Sequence, residues 1–409
     1  MKHLALANTI NKFVINKSEL YEYKDSIASK GVSDTLEGCL NFCTCDGKSK
    51  SLFEIDSVVD YLHDELNTGH WSDVPINVRR CFSVASFAKM LIMLQTASEF
   101  SLELLQKALK CIDLGLLLGA PLNENSDLLT DIAKYLSCKI SELNNSVIVF
   151  NTVKRLKLDE DLIIYNNLNA KEINYEECPS MELFDKIYFK AKIPVKLKSC
   201  MKHWPASTKW LDVNYILKIA GDRTVPIEIG SHYVDENWSQ KLMTLKDFIH
   251  KHYLSDDDGD IGYLAQHNLF EQISELKNDI CIPEYCALSL DYDNCIEPDI
   301  NAWFGPKGTV SPLHFDPKDN ILAQVYGTKQ IILFSSEDTK YLYPHESNLL
   351  FNTSQVDPIN PNLLLHEEFT KATMYKCLLE PGDMLYIPLK WWHHVTALDK
   401  SFSVSFWWK

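Results

Sequence analysis

Apolar residues recur at three- and four-residue intervals through the first part of the chain. Val78, Cys81, Val84, Phe87, Met90, Leu91 and Leu94 lie on one face of a helix predicted from Val78 to Ser98. Leu104, Leu105, Ala108, Leu109, Ile112 and Leu116 do the same for Leu102 to Leu118, and a third helix is expected from Asp127 to Leu143. Around Pro179 the pattern changes. The segment Pro179 to Leu197 reads as a short helix running into a strand. After it come short β-type runs: Val225–Ile229, Ile300–Phe304, Ile321–Tyr326, Gln330–Phe334, Lys376–Leu379, Met384–Ile387 and Phe402–Trp407. Gly327, the Gly382-Asp383 pair and Pro388 punctuate them. The expectation is an α+β chain, with a helical N-terminal domain over residues 1–175 and a β-rich domain over 176–409. The core of the second domain, about 298–409, is a sandwich or barrel. The strand Gln330–Phe334 is expected to lie beside Ile321–Tyr326, joined by a tight turn at Gly327.

Composition narrows the function. The 409 residues are 46% hydrophobic and 23% charged, which is ordinary for globular protein. A net charge of −16 argues against a protein that grips phosphate backbones, so no direct nucleic-acid binding is expected. It suits basic peptides, and it also serves solubility. The 12 cysteines are scattered, and the N-terminal apolar run is too short for a signal peptide. No stretch approaches the ~18 apolar residues of a membrane span. An intracellular, reducing location with free thiols is expected, and nucleus and cytoplasm stay open. Cys39, Cys43 and Cys45 lack a second Cys or His pair at zinc-finger spacing. His63, Glu65 and His70 are expected to be surface or cap residues. The acidic run Asp256–Asp260 misplaces the glycine and glutamate of a calcium loop, and a solvated loop is expected there.

The chemistry gathers late in the chain. In a strand, residues two apart share a face, so His314 and Asp316 would aim at one point. His-x-Asp/Glu is a weak signal alone, because the sequence holds three such pairs, the others being His63/Glu65 and His366/Glu368. The third element is His393, 77 residues after Asp316. Two histidines and a carboxylate cover three positions around a metal and leave three open. This suits non-heme Fe(II) with a bidentate cosubstrate and O2, although zinc hydrolases use the same ligand types. Of the neighbours His393 and His394, the first shares its face with Trp391, Val395 and Ala397, as an interior ligand should. Lys329 follows the Gly327 turn. A lysine entering a barrel needs an anion, and the far carboxylate of 2-oxoglutarate would provide one.

Together, Asn301–Pro306, Ser311–Pro317, Gly327–Lys329, Tyr343–His345, Asn352–Asp357 and Ser401–Trp408 resemble the JmjC-domain oxygenases. The match spans residues 176 to 409 and extends loosely to Cys111–Gly119. The nearest pattern is that of the branch described both as bifunctional peptidase and arginyl hydroxylase and as lysine-specific demethylase. The resemblance implies a double-stranded β-helix, a cupin-like jelly-roll, with Fe(II) on His314, Asp316 and His393. It implies that Lys329, Tyr263, Ser311 and Asn320 hold 2-oxoglutarate, with Trp303 nearby. It further implies an arginine side chain clasped by Glu228, Trp238 and Trp407, a carboxylate and flat rings suited to a guanidinium. The activity implied first is C-3 hydroxylation of arginine in protein substrates, histones or other basic proteins among them. The alternative is demethylation of N-methyl-lysine in histones, a chromatin-regulating role. A peptidase would need a hydrolytic site that the sequence does not display, and a non-catalytic scaffold would have a damaged triad or lack the lysine.

Overall fold

In a computed structural model, the described residues are 2–44, 50–69, 73–144, 170–230, 238–255, 260–289, 297–347 and 350–409. Cys45, His70 and most of the acidic run (256–259) lie outside them. The helical region contains Lys30–Thr44, Leu52–Leu66, Ile76–Thr96, Leu102–Leu118 and Leu128–Leu143. The Leu102 helix begins where it should: the Ser101 hydroxyl accepts from the Leu104 N–H at 3.1 Å, satisfying a donor that the helix itself leaves free. The apolar stripes of these helices meet in one core around Val84, Phe87, Leu91, Leu105, Leu109 and Ile132.

Among the described residues, fourteen strands follow: β1 Lys171–Glu172, β2 Tyr175–Glu177, β3 Val195–Lys198, β4 Thr224–Ile229, β5 Ser239–Thr244, β6 Gly262–His267, β7 Asp299–Gly305, β8 Val310–Phe315, β9 Asp319–Tyr326, β10 Lys329–Phe334, β11 Tyr375–Leu379, β12 Met384–Ile387, β13 Trp392–Ala397 and β14 Ser401–Trp408. They form a five-stranded sheet, β1-β11-β10-β13-β8, and a nine-stranded sheet, β2-β3-β12-β9-β14-β7-β6-β4-β5. The eight strands from β7 onward divide equally between the two sheets and pair antiparallel, which is the double-stranded β-helix. The short β1 and β2, just ahead of residue 178, pair parallel with β11 and β3.

One expectation fails. β9 and β10 are consecutive in the chain but do not pair. β9 lies between β12 and β14, and β10 between β11 and β13. The Gly327 turn therefore carries the chain from one sheet to the other. Gly327 has φ +72°, and a Cβ there would stand 2.1 Å from the Lys400 carbonyl oxygen, so only glycine fits.

Period-two alternation sorts the side chains. On β9, Ile321, Ala323 and Val325 face outward, where they join Phe184, Trp204 and Trp210 in the largest core. Leu322 faces inward with Ile331 and Leu333 of β10 and Leu385 and Ile387 of β12. The helical region docks on the barrel through Asp113, which is fully buried. Its carboxylate accepts from Arg223 Nε at 2.8 Å, the Thr224 N–H at 2.7 Å and Gln272 Nε2 at 3.0 Å.

Candidate metal centre

The inner faces of the two sheets enclose a slot of about 360 Å3, part of it open to solvent. His314, near the end of β8, sits directly opposite His393 on β13. Asp316 follows β8 by one residue. His314 Nε2 lies 3.9 Å from Asp316 Oδ1, and His393 Nε2 lies 3.6 Å from Asp316 Oδ2. One donor atom from each residue falls within 4.8 Å of the others, and this is the only such group of His, Cys, Asp or Glu among the described residues. Each imidazole is fixed from behind. His314 Nδ1 is 2.7 Å from the Pro312 carbonyl oxygen, and His393 Nδ1 is 3.0 Å from that of Trp391. A carbonyl only accepts, so both rings carry their proton on Nδ1 and turn the Nε2 lone pairs inward.

The electrostatics agree with a cation site. Burial pushes the Asp316 carboxyl up, opposed by His314 and by the Asn320 side chain. Burial, with His314 beside it, holds His393 well below its ordinary value, so the ring is neutral and ready to ligate. Asp316 Oδ2 and Asn320 Oδ1 are buried without a hydrogen-bond partner. A buried carboxylate oxygen in that state is costly, and a metal ion would remove the cost. Two imidazoles and a carboxylate fit Fe(II).

Beyond the triad, Lys329 stands at the start of β10, only 2% exposed. Its ammonium donates to Tyr263 Oη at 3.2 Å. Burial brings the lysine down to about 7 and raises the Tyr263 phenol, with Glu228 adding to the latter. The phenol keeps its proton, so the two side chains together offer N–H and O–H donors to an anion. Tyr263, Ser311, Asn320, Trp303, Lys329 and Trp407 all line the slot with the triad. Leu322, Ile387 and Val395 supply its apolar wall. The Trp303 indole N–H donates to Ser405 Oγ at 2.9 Å, which fixes the ring.

Glu228 and Trp238 do not line this slot. Glu228 is on β4, opposite Tyr263 of β6 and Gln240 of β5, so it stands beside the slot, and Trp238 immediately precedes β5. Burial pushes the Glu228 carboxyl up; the Trp238 indole offsets part of this without making a hydrogen bond of good geometry. Sequence reasoning missed Ser405 and the apolar wall. The signal for Ser405 was present: Ser401-Phe402-Ser403-Val404-Ser405-Phe406 alternates serine with large apolar residues, and the serines are the inward set. Cys39 and Cys43 are buried in the helical core, and burial raises Cys39 to about 11, as befits inert thiols.

Residues 180–409 match the family model described as a cupin-like domain. The chain is 43% identical over 358 residues to Lysine-specific demethylase 8 of Danio rerio, covering 86% of each chain. It is 38% identical over 366 residues to Jumonji C domain-containing protein 5 of Drosophila melanogaster, covering 89% of this chain and 88% of that one. Against Lysine-specific demethylase JMJ30 of Arabidopsis thaliana the identity is 36% over 373 residues, 85% of this chain and 84% of that one.

Proposed function

Because this chain belongs to the cupin-like JmjC family of Fe(II)- and 2-oxoglutarate-dependent oxygenases, we propose that it oxidises a cationic side chain in a protein substrate. The observation that carries the reading is the juxtaposition in one slot of three converging ligand atoms and a buried, depressed lysine. Iron held by His314, Asp316 and His393 supplies the redox chemistry that couples decarboxylation of 2-oxoglutarate to oxidation of a C–H bond. The balance is simple: substrate, 2-oxoglutarate and O2 become hydroxylated substrate, succinate and CO2.

The chain's own groups do the positioning. Lys329 and Tyr263 hold the far carboxylate of 2-oxoglutarate by charge-assisted hydrogen bonds. Ser311 and Asn320 add polar contacts, and the Asn320 side chain also steadies Asp316. Leu322, Ile387 and Val395 keep water from the reacting centre. At the mouth, Glu228 meets the substrate cation, with Trp238 and Trp407 against its flat faces.

Two products follow from the same oxidation. Hydroxyl placed on arginine C-3 stays as a stable alcohol. This reading rests on Glu228, whose carboxylate and neighbouring indole suit a guanidinium. Hydroxyl placed on an N-methyl carbon of lysine collapses, releasing formaldehyde and leaving a demethylated amine. This second reading has the names of two relatives in its favour, and the comparisons support it better than the first. Histones or other basic proteins are the substrate class for either, placing the protein in nucleus or cytoplasm. Among the described residues no helix is long and apolar enough to cross a membrane.

Mass spectrometry decides. Arg-containing and N-methyl-Lys peptides are incubated with protein, Fe(II), 2-oxoglutarate and O2. One oxygen gained on arginine establishes the hydroxylase. Loss of a methyl group with formaldehyde establishes the demethylase. Formation of neither product with any peptide would sink both.

A further inference from the structure

A second, larger space of about 1960 Å3, including its open part, lies between the helical region and the barrel. One wall is the C-terminal turn of the Leu102–Leu118 helix and the segment after it, as far as Asp127. The floor is sheet: Leu242 and Gln240 of β5, Pro226 of β4 and Asn301 of β7. Strand register relates this floor to the iron slot. Leu242 is opposite Pro226 and Gln240 is opposite Glu228. Pro226 and Glu228 are two residues apart, so they share a face. Asn301 is two residues from Trp303 and opposite Ser405, and both of those line the slot. The groove floor and the slot therefore share one sheet face, on which Glu228, opposite Tyr263 of the slot, lies two residues from Pro226 of the groove.

Its chemistry is that of a peptide track. The side-chain amides of Gln240, Gln266 and Asn268 engage no other group among the described residues. Each offers both donors and an acceptor, matching the N–H and C=O groups of an extended backbone whatever its sequence. Gln266 reaches the groove from a bulge in β6, where it holds φ +46°. Charge sets a preference. The one lysine of the lining, Lys277, is bonded to Glu271 at 2.6 Å, while Asp127 has no ionic partner among the described residues. That leaves a net negative track, suited to a basic chain.

We propose that this groove holds, in extended form, the polypeptide flanking the oxidised residue, so that the helical region reads substrate sequence as well as supporting the barrel. The inference rests on the oxygenase reading above and names where its substrate lies. The test uses the full-length protein with Fe(II) and 2-oxoglutarate under argon. Synthetic pools carry a central Arg or N-methyl-Lys with randomised flanks, as pentadecapeptides or as pentapeptides. Leu242→Arg and Asp127→Lys change exposed positions on the floor and on the helical wall, and melting temperature checks their fold. The pentadecapeptides should be retained over the pentapeptides, with basic flanks enriched. Each variant should lower retention by roughly tenfold, the size of one interfacial charge contact. Equal retention by wild type and both variants, or no gain from length, overturns the proposal. Admitting air then scores oxidation separately. Groove-dependent retention without oxidation keeps the groove and removes the oxygenase reading, and oxidation without groove dependence does the reverse.

Discussion

Two buried carboxylates, one in each region, show how differently the halves of this molecule use polar groups. Glu19 in the helical region is fully buried and fully partnered. It accepts from the Tyr23 hydroxyl at 2.6 Å, the Glu124 N–H at 2.9 Å, and the Asn125 N–H and side-chain amide at 2.9 and 2.6 Å. Burial alone would raise its pKa, but these bonds outweigh burial and hold it below the ordinary value. Asp316 in the barrel is also buried, yet its Oδ2 has no hydrogen-bond partner and its pKa is raised. The first carboxylate is complete within the fold and ties one chain segment to another. The second is complete only with a ligand. Lys329 belongs with Asp316: a buried ammonium with one phenol contact and, among the described residues, no carboxylate pair. Unmet hydrogen-bonding capacity, more than burial, separates a binding site from a structural network.

The largest break in this comparison comes from Asp316→Ala. Succinate formation should fall to background and Fe(II) binding should be lost, while the melting temperature of the metal-free protein holds or rises. Wild-type turnover in this variant would refute the metal assignment. Glu19→Ala should act in the opposite sense, leaving four donors unmet and costing at least ~2 kcal/mol of stability. Denaturant unfolding measures this, and KM for 2-oxoglutarate should not change. Unaltered stability would end the claim that Glu19 is structural.

Lys329 gives the finer test. Lys329→Met should raise KM for 2-oxoglutarate by about 10- to 150-fold, the ~1.5–3 kcal/mol of a charged hydrogen bond, without loss of melting temperature. In the wild type the cosubstrate binds the ammonium form, and the lysine sits at about 7. Affinity should therefore be flat at lower pH and fall as pH rises past that value, approaching tenfold per unit. Calorimetric titration between pH 6 and 9 measures it, and Lys329→Arg, which stays charged, should flatten the profile. A flat wild-type profile would show that the empty slot does not depress the lysine.

Much of this was legible beforehand for local reasons. The Leu102–Leu118 helix follows from apolar spacing and its serine cap. Strands β4, β7, β9, β10, β11, β12 and β14 follow from β-type runs and turn residues, and Met384–Ile387 has the predicted ends. His314 and Asp316 could be paired because neighbours two apart on a strand share a face. The β9–β10 relationship was misjudged because a two-residue turn usually makes a hairpin. Only the packing of Lys400 against Gly327 and the pairing of β9 with β14 show that this turn crosses between sheets.

By itself, then, the order of residues determined the kinds of element, the alternation along each strand and the chemical types that could ligate a metal, because these depend on spacing along one segment. It could not bring His393 opposite His314, set Lys329 against Tyr263, or lay a groove between the helices and the sheet. Those depend on which strands become neighbours. That choice is made by burying both faces of two sheets at once, a condition that no single segment carries.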